Sequence, residues 1–278
     1  MPTLEIDGVN LAYEERASGP PVLLVHGTGG AEWDPLPGML AADNHVIYYH
    51  RRSFGPSTHP PLADLPRHTA DAAALIEQLG GAPLTVVGHS MGGIVSIDLT
   101  VRRPDLVSRL VLVEPPLHFT QHPTEAMMSE LGHAMQLREA EGDEAGAEYF
   151  MRWATTTTDG GCGYELAPPD VKERLLANSS AILKELEGGT GDYISADEVA
   201  AISCPVTLLV GELTLPEYWQ AAERIKAANP AVELVTVPGA GHMLTATHPQ
   251  VVVDAVARAP GLGDGGRGVD EGGEVPVG

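Results

Sequence analysis

Apolar positions along the chain fall into two patterns. The first is a set of short runs with almost no polar residue: Val22-Leu23-Leu24-Val25, Val46-Ile47-Tyr48-Tyr49, Leu84-Thr85-Val86-Val87, Leu110-Val111-Leu112-Val113, Val206-Thr207-Leu208-Leu209-Val210 and Val232 to Val237. A strand without a polar face is covered on both sides, as in a parallel sheet flanked by helices. The second is amphipathic helical spacing, which recurs at 68–79 before Gly80-Gly81, after Ser90 up to Pro104, over 216–228, and in a last helix ending near Ala259. Alternation of the two predicts an α/β fold. Ahead of them, residues 3–17 alternate around Asp7-Gly8, which predicts a hairpin at the sheet edge.

From Leu117 to about Ala201 the β-branched runs stop, and 124–139, 145–155 and 169–186 read as helices separated by glycine-rich breaks. The chain therefore divides into a core of residues 1–117 and 202–260 with a helical insertion over 118–201. Residues 261–278 are nearly all Gly, Asp, Glu, Val and Pro, too polar to bury a core, and are expected to form a disordered acidic tail.

Candidate chemistry sits where apolar runs end. Gly88-His89-Ser90-Met91-Gly92 stands between a strand and a helix, the arrangement of a nucleophile elbow with Ser90 at its apex. Late in the chain, Pro238-Gly239-Ala240-Gly241-His242-Met243 places a histidine directly after the last strand. His26-Gly27-Thr28-Gly29-Gly30 follows the first buried strand, but it lacks both the lysine of a P-loop and the spacing of a dinucleotide fingerprint. On these motifs the chain resembles the α/β-hydrolase family. That resemblance implies a mostly parallel eight-stranded sheet flanked by helices, with the insertion as a cap over the active site. It also implies Ser90 as nucleophile, His242 as general base, the backbone N–H groups of Thr28 and Met91 as oxyanion donors, and a structural hydrogen-bonding role for His26. The loop His50-Arg51-Arg52-Ser53-Phe54-Gly55-Pro56-Ser57 is similar to the family's Asp-Arg-Gly-x-Gly-x-Ser loop, with His50 and Ser53 as departures. Arg51 and Arg52 are expected to brace it by salt bridges. Gly27, Gly29 and Met243 are candidate substrate contacts, joined from the cap by Met128 and Trp153, out of a wider set with Met127, Met135, Phe150 and Met151.

The third triad member departs from the common pattern. Many α/β-hydrolases carry an aspartate after the strand that follows the cap, and Thr214 stands there. A hydroxyl cannot supply the negative charge an imidazolium needs. One subgroup of haloalkane dehalogenases and the fungal zearalenone lactonases instead place a glutamate after the strand preceding the cap. Glu114, in Leu112-Val113-Glu114-Pro115-Pro116, occupies that place and is favoured over Glu212. The overall layout is similar to the lactonases from about residue 3 to 259.

Composition narrows the partners. Thirty-eight acidic residues against sixteen basic ones give a formal charge of −22, which repels nucleic acid and anionic membranes. The segment 118–200 alone carries sixteen acidic residues against five basic ones, half of that imbalance. Two cysteines, Cys162 and Cys204, make no disulfide framework, and with no secretory pattern at the N-terminus the expected location is the cytoplasm. No cofactor and no metal are called for, and a homo-oligomer is left open. The expected reaction is hydrolysis of a small carboxylic ester or lactone through an acyl-serine, a macrocyclic lactone of the zearalenone type included. Other acyl or C–C bond hydrolysis, and a triad-bearing small-molecule receptor, are the alternatives. A serine at 90 excludes chemistry that needs a carboxylate nucleophile there.

Overall fold

The apolar runs become the strands of one sheet in a computed structural model that describes residues 1–30, 33–60, 63–118, 124–188 and 194–258. In chain order the elements are β1 (Thr3–Ile6), β2 (Val9–Arg16), β3 (Pro21–Val25), α1 (Leu36–Leu40), β4 (His45–Tyr49), α2 (Leu65–Leu79), β5 (Leu84–His89), α3 (Met91–Arg102) and β6 (Val107–Val113). There follow α4 (Glu125–Glu141), α5 (Asp143–Ala154), α6 (Gly163–Leu166), α7 (Pro169–Ala177), α8 (Ser179–Gly188) and α9 (Ala196–Ala200). The chain then returns through β7 (Val206–Gly211), α10 (Pro216–Ala228), β8 (Glu233–Val237), α11 (Leu244–Thr247) and α12 (Pro249–Ala257). The eight strands lie in the order β1-β2-β4-β3-β5-β6-β7-β8. Only β1 with β2 and β2 with β4 pair antiparallel, and the first of these is the predicted hairpin, closed at Ile6 and Val9.

Period-two alternation within fully apolar strands feeds two cores. Leu23, Val25, Leu110 and Leu112 face the α2, α3 and α10 side, while Val22, Leu24, Val111 and Val113 face α1, α11 and α12. The helices of the insertion gather a third core around Phe150, Met151, Leu175, Ile182 and Leu183, into which Phe54 from the loop after β4 also packs. Ile194 and Val199, inside the stretch read as insertion, pack instead into the sheet-face core.

Boundaries moved where caps decide them. Helix α2 starts three residues before the predicted His68 because the Asp64 carboxylate accepts from the Arg67 N–H at 3.1 Å and opens the helix. The span 169–186, read as one helix, is broken between α7 and α8 at Asn178, which is buried and whose side chain turns to the core. The tail expected over 261–278 lies outside the described residues. Cys162 and Cys204 are both free. No helix among the described residues is long and apolar enough to cross a membrane.

Candidate active site

Strand β5 delivers Ser90 and strand β6 delivers Glu114, both at the same sheet edge. Ser90 sits at φ 52°, ψ −124°, and its N–H donates to the Val113 carbonyl at 2.8 Å, so the sharp turn is pinned to the end of the neighbouring strand. Glu114 has φ 47°. A left-handed backbone at a bulky non-glycine residue is strained, and such strain is characteristic of functional positions. Met91 opens α3, where the N–H has no acceptor within the helix and the helix dipole is positive.

The Glu114 side chain is fully buried and has three donors. Its Oε1 accepts from the Gly211 N–H at 2.7 Å, and its Oε2 accepts from the Thr214 hydroxyl at 2.9 Å and from His242 Nδ1 at 2.6 Å. A carboxylate only accepts, so the His242 proton is on Nδ1 and Nε2 is left as the basic nitrogen. Glu212 does not take part: it is exposed and accepts from the Gly239 N–H at 2.9 Å. Thr214, at the position of the family's usual aspartate, is thus a hydrogen-bond donor to Glu114.

Two further rings hold the imidazole. Tyr218, in the first turn of α10, stacks on His242 with centroids 3.9 Å apart and planes 14° from parallel. Burial and the nearby Glu114 and Glu217 carboxylates keep its phenol well above the ordinary range. His89 Nε2 donates to the His242 carbonyl at 2.9 Å. Ser90 and His242 line one cavity of about 50 Å³ together with Thr28, Gly29, Met243 and Tyr218. The insertion closes it with Phe150, Met151, Val171 and Leu175. Gly29, at φ 125°, lets Leu175 approach: a Cβ there would stand 2.8 Å from Leu175 Cδ2.

Of the predicted contacts, Gly27, Gly29 and Met243 line the cavity, whereas Met128 and Trp153 do not. Met128 lies on the outer face of α4, 42% exposed, and Trp153 packs against Phe150 within the insertion's own core. Both arginines after β4 are paired. Arg52 makes a bidentate bond to Asp71 at 2.6 and 2.5 Å, and Arg51 is wholly buried against Glu185 of α8.

A model of the alpha/beta hydrolase family matches residues 22–255. The chain belongs to that family. Mycobacterium tuberculosis BpoC, which bears the name of a non-heme bromoperoxidase, is 30% identical to this hydrolase over 244 residues, covering 84% of one chain and 83% of the other. A 2-(acetamidomethylene)succinate hydrolase from Mesorhizobium japonicum is 26% identical over 263 residues, covering 91% of this chain and 92% of its own. The crystal structure of an alpha/beta hydrolase fold protein from Burkholderia ambifaria superposes with a TM-score of 0.77 at 22% identity, covering 92% of this chain and 96% of that one, which bears on the fold alone.

Sequence reasoning missed three groups of this hydrolase that touch the site or its loops: Tyr218, Asn178 and Glu185. Tyr218 follows Pro216 in a helical first turn, and nothing in that pattern marks a ring that stacks on a distant loop. Asn178 was hidden inside a helical periodicity, although a mid-helix asparagine is a recognisable break signal.

The hydrolase also buries histidines in their neutral form. Burial first, then the Arg51 charge, pushes His26 well below its ordinary range, and burial with the His242 ring lowers His89 to about 3. An unfolded histidine takes up its proton near pH 6.5, so below that pH the unfolded chain binds protons the folded chain refuses, about 1.4 kcal/mol per pH unit for each such ring. Their contribution is intact above pH 6.5 and is lost as pH falls towards the folded values. Thermal melts should therefore show a lower Tm at pH 5 than at pH 7.5; an unchanged Tm would contradict this account of His26 and His89.

Proposed function

We propose that this chain is a serine-dependent hydrolase of small, uncharged carboxylic esters or lactones that works through an acyl-enzyme, with Ser90, His242 and Glu114 as its triad. The single observation that carries the reading is the buried Glu114 carboxylate 2.6 Å from Nδ1 of His242, a ring that lines the same cavity as Ser90. His242 Nε2 takes the Ser90 proton as the oxygen attacks the carbonyl carbon. The resulting oxyanion is met by the Thr28 and Met91 N–H groups. The leaving alcohol departs with the proton from His242, and water then attacks the acyl-serine with the same nitrogen as base. Glu114 supplies the charge that stabilises the transient imidazolium.

Two features of the cavity bear on the substrate. A volume of about 50 Å³ is roughly three to five times the 10–15 Å³ needed to hold one water molecule. A cavity of that size favours a short acyl group over a macrocycle, although the glutamate's place in the layout resembles the zearalenone lactonases. No lysine or arginine lines the cavity among the described residues, and the whole chain is strongly acidic. A dicarboxylate such as the one in the name of the Mesorhizobium japonicum relative would therefore find no counter-charge here.

The test is covalent. An aryl alkylphosphonate should add one phosphonyl group, located at Ser90 by peptide mass spectrometry. In parallel, p-nitrophenyl acetate should be turned over faster than the octanoate. Absence of the Ser90 adduct would remove the acyl-enzyme reading, and adduct formation without ester turnover would favour a receptor.

A further inference from the structure

The glycine-rich loop after β3 is held from the insertion as well as from the core, and the polar groups that hold it are all buried. From the core, the Gly27 carbonyl accepts from His26 Nδ1 at 2.7 Å and from Arg51 Nη2 at 3.1 Å. His26 must be neutral to do this, because its Nε2 accepts from the Arg51 backbone N–H at 2.9 Å. From α8, Glu185 grips Arg51 with both oxygens, at 2.5 and 3.1 Å, and its Oε2 also accepts from the Thr28 hydroxyl at 2.7 Å. Just ahead of α8, Asn178 Nδ2 donates to the Gly29 carbonyl at 2.8 Å while its Oδ1 accepts from the Gly55 N–H at 2.9 Å.

A peptide unit is planar and trans, so fixing a carbonyl fixes the direction of the next N–H, which points the opposite way. Here the Gly27 carbonyl is fixed towards Arg51 and His26, and Thr28 lines the cavity that Ser90 and His242 share. The N–H concerned is the one assigned to the oxyanion above. The side-chain end of the same residue is tied to Glu185, so both ends of Thr28 are set by one ion pair that joins the insertion to the core.

Resting on the acyl-enzyme reading, we propose that Glu185 is a positioning residue for the oxyanion site: by bonding Thr28 Oγ1 and Arg51 together, it aims the Thr28 N–H, so docking of α8 and assembly of the oxyanion site are one event. Glu185 touches no reacting atom. Its effect belongs to the transition state, where the oxyanion exists, and not to ground-state binding.

The experiment uses Thr28 from one side and Glu185 from the other. Thr28→Val removes the hydroxyl but keeps the backbone N–H and the Arg51–Glu185 pair, so no buried charge is orphaned. It is expected to lower kcat for p-nitrophenyl acetate about 10- to 100-fold with KM within about threefold, the size of effect that misdirecting a catalytic group produces. Thr28→Ser restores the donor and should return kcat to within about threefold of the original. Glu185→Gln should lower kcat similarly, and combined with Thr28→Val the two losses should fall well short of multiplying, since both break one contact. If Glu185→Gln does not fold, the Thr28 pair carries the test alone. Wild-type kcat in Thr28→Val, or no recovery in Thr28→Ser, would overturn the proposal while leaving phosphonylation of Ser90 intact. A wild-type protein that takes no phosphonate at Ser90 would instead bring down the acyl-enzyme reading and this inference with it.

Discussion

Alanine at Ser90 is expected to lower kcat/KM for p-nitrophenyl acetate by about four to six orders of magnitude and alanine at Glu114 by about three to four, while Glu212→Ala stays within about threefold. On the proposed mechanism the first removes the attacking oxygen. The second removes the anion that selects the Nδ1-protonated tautomer and stabilises the imidazolium, and no other carboxylate touches the ring among the described residues. Glu114→Gln should be nearly as damaging, since a side-chain amide can donate to Nδ1 and leave the proton on the wrong nitrogen. On the proposed mechanism Ser90 and Glu114 act in one proton transfer, so Glu114→Ala placed on top of Ser90→Ala should add almost nothing. Stopped-flow or plate-reader kinetics on these variants decide it. Full activity in Glu114→Ala, or a large loss in Glu212→Ala, would reassign the acid.

Gly92→Ala should disrupt the fold at the same place. A Cβ on Gly92 would stand 2.0 Å from the Val25 carbonyl oxygen and 2.4 Å from that of His26. Both neighbours are backbone at the end of β3, one of them beginning the glycine-rich loop, so neither can swing aside as a side chain would. Relief requires α3 to back away from the sheet, which costs more than about 3 kcal/mol and lowers Tm by about 6–12 °C in a domain of this size. Gly132→Ala is the matched control: Gly132 lies on the exposed face of α4, a Cβ added there would meet nothing within 4 Å, and alanine should stabilise by up to about 1 kcal/mol. Gly92→Ala melting within a degree or two of the parent would sink the argument.

How far the molecule was legible follows from the range of each signal. Runs such as Val22–Val25 and Leu110–Val113 had to be central strands because no polar face was available, and the structure pairs them side by side through β5. Ser90 and His242 stood out because each is bounded by local turn chemistry at a strand end. Thr214 is ruled out as the acid by its chemistry and the family resemblance points to Glu114 instead, yet the bond that the threonine donates to that glutamate needed coordinates. Failures cluster in the insertion. Its helices pack on one another and on the core, so an apolar methionine or tryptophan in 118–201 has several faces on which to bury. Periodicity gives no way to tell that Met151 meets the cavity while Met128 meets water. Asn178 and Glu185 read as ordinary polar helix positions, since their partners are more than 120 residues away.

The contact between Thr214 and Glu114 has a consequence for how such proteins are found. Strands β6 and β7 are neighbours, and Glu114 and Thr214, just beyond their ends, meet beside one ring, so a carboxylate serving that ring can come from either strand end. A search pattern that insists on the later aspartate passes over a chain with this arrangement. Cataloguing by the ring that must be served, with either strand end accepted as the server, recovers it.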